Sequence, residues 1–220
     1  MAVMCVYCGN KPGSTRDHVP PQNIFPKPKP VNMVTVPCCE DCQARFKKDE
    51  DVFMAWITFG PAGESSAGKL LWEQKLKRTY KKDSGIKKVM RRSFSQVSAE
   101  TPGGIYLGKR LAISIDPERK NNVLKKIVRG LFWVEYKERL PENVPIEIYG
   151  INGKGEPIRE LIAVTHEATT FWEGIFEYRH ARVPERFESY WIMFFFWRNY
   201  FVAIVDGGED SEEIKEVHNE

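Results

Sequence analysis

The chain lacks what a membrane or export assignment would need. None of its 220 residues belongs to a run approaching 18 apolar residues, so no helical membrane span is expected. The opening Met1-Ala2-Val3-Met4-Cys5 has neither a basic flank nor a long apolar region, so no signal peptide is predicted. Cysteine is scarce and odd in number, and four of the five fall in C-x-x-C pairs. Without an export signal that usage argues against a disulfide framework, and it points to metal binding in a cytoplasmic protein. No internal repeat is present. The net charge is only +3, but this average hides a strong polarity along the chain.

What is present starts with core-forming residues. Hydrophobic content is 42%, with 13 Phe, 8 Tyr and 6 Trp, which suffices for a real core. The distinctive motif is a pair of knuckles, Cys5-Val6-Tyr7-Cys8 and Cys39-Glu40-Asp41-Cys42. Four thiolates so spaced can hold one zinc tetrahedrally, at about 2.3 Å per bond. A zinc ribbon needs only roughly 15–20 residues between its knuckles. Here the loop is longer, and it carries Thr15-Arg16-Asp17-His18-Val19-Pro20-Pro21, a hard oxygen ligand beside a base. Cys38 breaks the two-residue spacing and reads as a packing residue.

The organisation along the chain predicts an α+β protein. Residues 1–59 read as strand (Ser14–His18), proline-rich loop, strand (Asn32–Val36) and helix (from about Cys39 to Thr58, stopped by Gly60-Pro61). Residues 60–68 are a small-residue linker. Residues 69–92 hold ten basic residues against Glu73 and Asp83, with Leu71 or Trp72, Leu76 and Tyr80 as one apolar stripe of an amphipathic helix. Asp116-Pro117 starts a helix with a core stripe of Val123, Leu124, Ile127, Val128, Leu131 and Phe132, ended by Pro141. Strand-like runs are Ile105–Ile115, Ile146–Tyr149, Leu161–Thr165, Gly174–His180, Tyr190–Trp197 and Tyr200–Val205. The last two are apolar on both faces, as in central strands. Residues 69–205 thus read as an α+β domain with a mostly antiparallel sheet, and 206–220 as a disordered acidic tail. His166 and His180 lie in strand-like runs and read as structural; Trp72 and Tyr80 read as core.

Residues 1–59 resemble the HNH endonucleases, which share a ββα-metal fold. The resemblance rests on Cys5-x-x-Cys8, Asp17-His18, Asn32 and Cys39-x-x-Cys42-Gln43, in that order. It implies a phosphodiesterase with His18 as the base that activates water and Asp17 as a ligand of catalytic Mg²⁺ or Mn²⁺. Asn32 would orient the imidazole. Zinc on Cys5, Cys8, Cys39 and Cys42 would be structural. The family has His or Asn where this chain has Gln43, so Gln43 or a water would complete the ion; Asp41 and Glu50 are lesser alternatives. Asp17 and His18 are adjacent on a strand and start on opposite faces, so local twist must bring both to the phosphate.

The implied partner is nucleic acid, DNA foremost. Its phosphates would meet Arg16, Lys75, Lys77, Arg78, Lys81, Lys82, Lys87, Lys88, Arg91 and Arg92. The resemblance also allows a homodimer. Two alternatives stand beside hydrolysis: a catalytically degenerate, zinc-dependent nucleic-acid-binding protein, and the nuclease effector of a defence or signalling system sensed by the C-terminal domain.

Overall fold

The structure is a computed structural model that describes every residue except 1–2, 32, 60–64, 83, 102, 152–161, 164, 166–168, 173, 184–185, 197–198 and 208–220. Asn32, His166, most of the linker and most of the acidic tail therefore lie outside the described residues.

Chain order begins with β1 (Thr15–His18), a 3₁₀ turn (Gln22–Ile24), β2 (Thr35–Cys38) and α1 (Glu40–Phe59). β1 and β2 pair antiparallel, Thr15 opposite Cys38 and His18 opposite Thr35. Glu40 and Asp41 occupy the first turn of α1, where they complement the positive end of the helix dipole. The order strand, loop, strand, helix is the one read from the sequence.

The basic block is helical but broken. It runs through α2 (Ser66–Leu71), a π-helical turn (Trp72–Leu76), α3 (Lys77–Lys82) and α4 (Ser84–Ser93). Ser65 caps α2 by accepting from the Gly68 N–H at 2.9 Å. β3 (Phe94–Glu100) and β4 (Tyr106–Ile113) then form a separate antiparallel ribbon. β4 was expected; β3 was not, because Phe-Ser-Gln-Val-Ser-Ala-Glu has too few apolar residues to register as a strand.

α5 (Pro117–Tyr136) starts where expected. Asp116 accepts from the Glu118 N–H at 3.0 Å, Pro117 sits in the first turn, and Lys137 closes the helix in the left-handed region at φ 58°. A five-stranded antiparallel sheet completes the chain: β5 (Ile146–Ile151), β6 (Thr169–Trp172), β7 (Phe176–Arg182), β8 (Ser189–Phe195) and β9 (Asn199–Val205), in spatial order β5-β9-β8-β7-β6. β8 and β9 are internal strands, as their apolar faces predicted. The strand expected over Leu161–Thr165 is corrected at Ile162 and Ala163, which are helical.

The core does not divide at the linker. One cluster of buried side chains runs from Cys5, Val36 and Phe53 through Leu124 and Phe132 to Trp191 and Val205. Phe53 of α1 meets Phe195 and Phe201 of the sheet at 5.5 and 6.5 Å between ring centres. Phe132 of α5 meets Trp191 at 6.4 Å. α5 also packs on α1 and β2, so it joins the cysteine-bearing unit to the sheet. Gly130 permits that approach: a Cβ there would lie 2.4 Å from Cγ2 of Val19, just past β1.

Candidate metal centre and basic cleft

The two knuckles converge. The sulfurs of Cys5, Cys8, Cys39 and Cys42 all lie within 4.8 Å of one another, and Cys8 and Cys39 are 3.8 Å apart. Sulfurs at tetrahedral corners about 2.3 Å from a zinc stand ~3.8 Å from each other, so the donor set fits that ion. The local fold dictates this meeting. Gly9, at φ +69°, turns the first knuckle back so that its N–H donates to the Cys5 carbonyl at 2.9 Å. The second knuckle is the first turn of α1, and the Val6 N–H donates to the Pro37 carbonyl at 3.0 Å, which registers the two.

Burial pushes the Cys5 thiol up, but the N–H groups of Cys8, Cys39 and Tyr7 outweigh it and hold the pKa down to about 7. Burial pushes the Cys42 thiol up. A zinc with four thiolates carries a formal charge of −2; Lys11 and Arg45 flank the cavity around the cluster. Cys38 is buried outside the four, its sulfur 3.2 Å from the Cys39 carbonyl.

Asp17 and His18 part company. Asp17 is buried, accepts from the Tyr7 hydroxyl at 2.5 Å, and lies 2.7 Å from Nζ of Lys126. That ammonium, 1% exposed, also pairs with Glu50 and lies 5.5 and 5.7 Å from the rings of Phe46 and Tyr7. His18 is half-buried on the opposite face of β1. Burial lowers its pKa, Asp17 partly opposes that, and the positive fields of Lys29 and Lys126 add to the lowering.

The hydrogen bond from Tyr7 and the ion pair with Lys126 both fall on Oδ2 of Asp17. Asp17 already serves a fixed cation, and Gln43 is exposed on the first turn of α1. The two lesser alternatives are also engaged: Asp41 pairs with Lys11, and Glu50 with Lys126.

The proline-rich loop and the broken basic helix enclose a cleft of about 960 Å³. Lys27, Lys29, Lys75, Arg78 and Lys82 line it, with Gln22, Asn23 and Gln74 as neutral partners. Gln74 pins the loop by accepting from the Lys27 N–H at 2.6 Å and donating to its carbonyl at 2.8 Å. Burial lowers the Lys75 pKa, while Asp51 opposes the shift.

Of the ten basic residues expected to meet phosphate, Lys75, Arg78 and Lys82 line this cleft. Lys77 pairs with Glu73 at 3.0 Å. Arg16 is turned onto Thr35, donating to its Oγ1 at 3.0 Å and its carbonyl at 3.1 Å. Lys81, Lys87, Lys88, Arg91 and Arg92 are exposed elsewhere. Sequence reasoning missed Lys27 and Lys29, whose signal was available as Lys-Pro-Lys-Pro in a stiff loop, and Lys126, which gives none beyond its place in an apolar helix.

No family model, curated protein or solved structure matches the chain. What stands is a mixed α+β protein with a four-cysteine cluster competent for zinc, and no helix among the described residues long and apolar enough to cross a membrane.

Proposed function

We propose that this protein binds nucleic acid along the cleft between its proline-rich loop and its basic helices, with structural zinc holding the HNH-like unit that carries the loop. The observation that supports it is the convergence of five basic side chains from two segments on one cleft, fixed by the two hydrogen bonds of Gln74. Clustered cations with apolar walls focus potential toward a polyanion, and phosphate contacts release counterions from it. Leu71 and Phe25 supply those walls. Binding is tested by titrating a labelled oligonucleotide with wild type and with Arg78→Glu/Lys82→Glu. The double variant is expected to lose affinity by more than about tenfold at low salt; equal affinities overturn the reading.

A second reading adds hydrolysis, and His18 favours it. The imidazole is partly exposed, and burial with its cationic neighbours Lys29 and Lys126 keeps it neutral at neutral pH, the form a general base needs. Mg²⁺ or Mn²⁺ would stabilise phosphoryl charge when bound, with Asp17 and Gln43 the side chains that would hold it. Plasmid nicking by wild type and not by His18→Ala supports hydrolysis; no nicking by either, across metals and salts, leaves the binding protein alone.

A further inference from the structure

β3 and β4 form a ribbon that no other strand among the described residues joins. An isolated two-stranded ribbon has little to bury and two free edges. Its root is tied down: Phe94 sits opposite Ile113 and packs on the core. Beyond the root the ribbon leaves the body. Leu111, opposite Gln96, is 69% exposed; Val97, opposite Arg110 on the other face, is 42% exposed. Both faces meet water. At the tip Ile105, Tyr106 and Leu107 are exposed in succession. Large apolar side chains held in water along about 20 Å of ribbon mark a contact surface.

The surrounding charge says what the contact is. Lys109 and Arg110 on the ribbon, and Lys87, Lys88, Arg91 and Arg92 on the α4 helix that feeds it, are all exposed. Against these six, residues 84–113 contain one acid, Glu100. Two copies docked ribbon to ribbon would set like charges against one another, which costs affinity. A polyanion turns the same charges into attraction. The B-DNA major groove, about 12 Å wide, admits a two-stranded β-ribbon and offers thymine methyls to apolar side chains. The major groove of A-form RNA is too narrow for side chains to read.

We infer that the β3–β4 ribbon is a DNA-binding arm that lies in the major groove of duplex DNA. Ile105, Leu107 and Leu111 contact base edges, Lys109 and Arg110 contact the flanking phosphates, and α4 supplies further phosphate contacts outside the groove. This inference rests on the nucleic-acid reading above and narrows its ligand to duplex DNA.

The test titrates the full chain into a short labelled DNA duplex, and into an RNA duplex of the same sequence, over a range of salt. The variants are Lys109→Glu/Arg110→Glu, Ile105→Ser/Leu111→Ser and, for the cleft, Arg78→Glu/Lys82→Glu. Both arm variants are expected to weaken DNA binding at least about tenfold, and the charge variant to lower the salt slope by about 2, with RNA binding unmoved. Thermal melting, unchanged at these exposed positions, reports that the variants fold. If only the cleft variant loses DNA, the arm is not a contact and the cleft reading stands. If wild type binds neither duplex at low salt, both readings fail. Equal losses on RNA overturn the groove assignment. A dimer that Ile105→Ser/Leu111→Ser dissociates without changing DNA affinity overturns the arm in favour of a second copy.

Discussion

Nζ of Lys126 lies 2.7 Å from Oδ2 of Asp17, inside the core. The lysine comes from α5 and the aspartate from β1, so one ion pair ties the cysteine-bearing unit to the helix that packs on the sheet. Glu50 on α1 shares the same ammonium. Three elements thus meet on one buried charge. Removing the cation leaves two carboxylates unpaired in a site that burial already makes unfavourable for ionised Glu50.

Lys126→Met is therefore expected to destabilise the fold by about 3–5 kcal/mol, the usual cost of stranding a buried charge. Urea unfolding of Lys126→Met, Asp17→Asn and the double variant gives the coupling directly. A double variant more stable than the sum of the singles predicts supports the pair; strict additivity contradicts it.

Cys42→Ser is expected to lose one zinc per chain and with it the cooperative unfolding transition, whereas Cys38→Ser keeps the metal. Elemental analysis with circular dichroism reads both. Metal retained by Cys42→Ser, or lost from Cys38→Ser, would contradict the assignment of the four sulfurs.

Gly130→Ala reverses an ordinary preference. Alanine in a helix interior is better than glycine by about 1 kcal/mol. Here the added Cβ meets Val19 Cγ2 at 2.4 Å, so overpacking of about 1–3 kcal/mol should win and lower the melting temperature. A stabilised Gly130→Ala would show that α5 and the end of β1 stand further apart.

The sequence carried the cysteine ligand set, the strand-loop-strand-helix order and the start of α5, because each is written in local chemistry: C-x-x-C spacing, proline and an Asp-Pro cap. It did not carry the partners of Asp17. Lys126 is remote in sequence, and a lysine in a helix reads as a solvated face until the fold buries it. The same limit hid the unity of the core. A Gly- and Ser-rich segment looks like a domain boundary, while Phe53 meeting Phe195 is a tertiary fact. β3 was missed because its ribbon is held by a partner strand and not by an apolar face.

His18 gives a prediction in pH. Its folded pKa lies below the unfolded value because burial and the Lys29 and Lys126 charges disfavour the cation. As pH falls through the unfolded value near ~6.5, the unfolded chain takes up protons first, so stability falls there and levels off below the folded pKa. His18→Gln should flatten that part of the profile. NMR titration of the imidazole placing its pKa above that of a model peptide would contradict the assignment.

The most direct test of the central claim is the salt dependence of wild-type binding to a labelled nucleic acid. If the five basic side chains of the cleft meet phosphates, log Kobs should fall with log salt concentration at a slope of magnitude about 4 or more on duplex DNA. A flat dependence, or no binding at low salt, would contradict it.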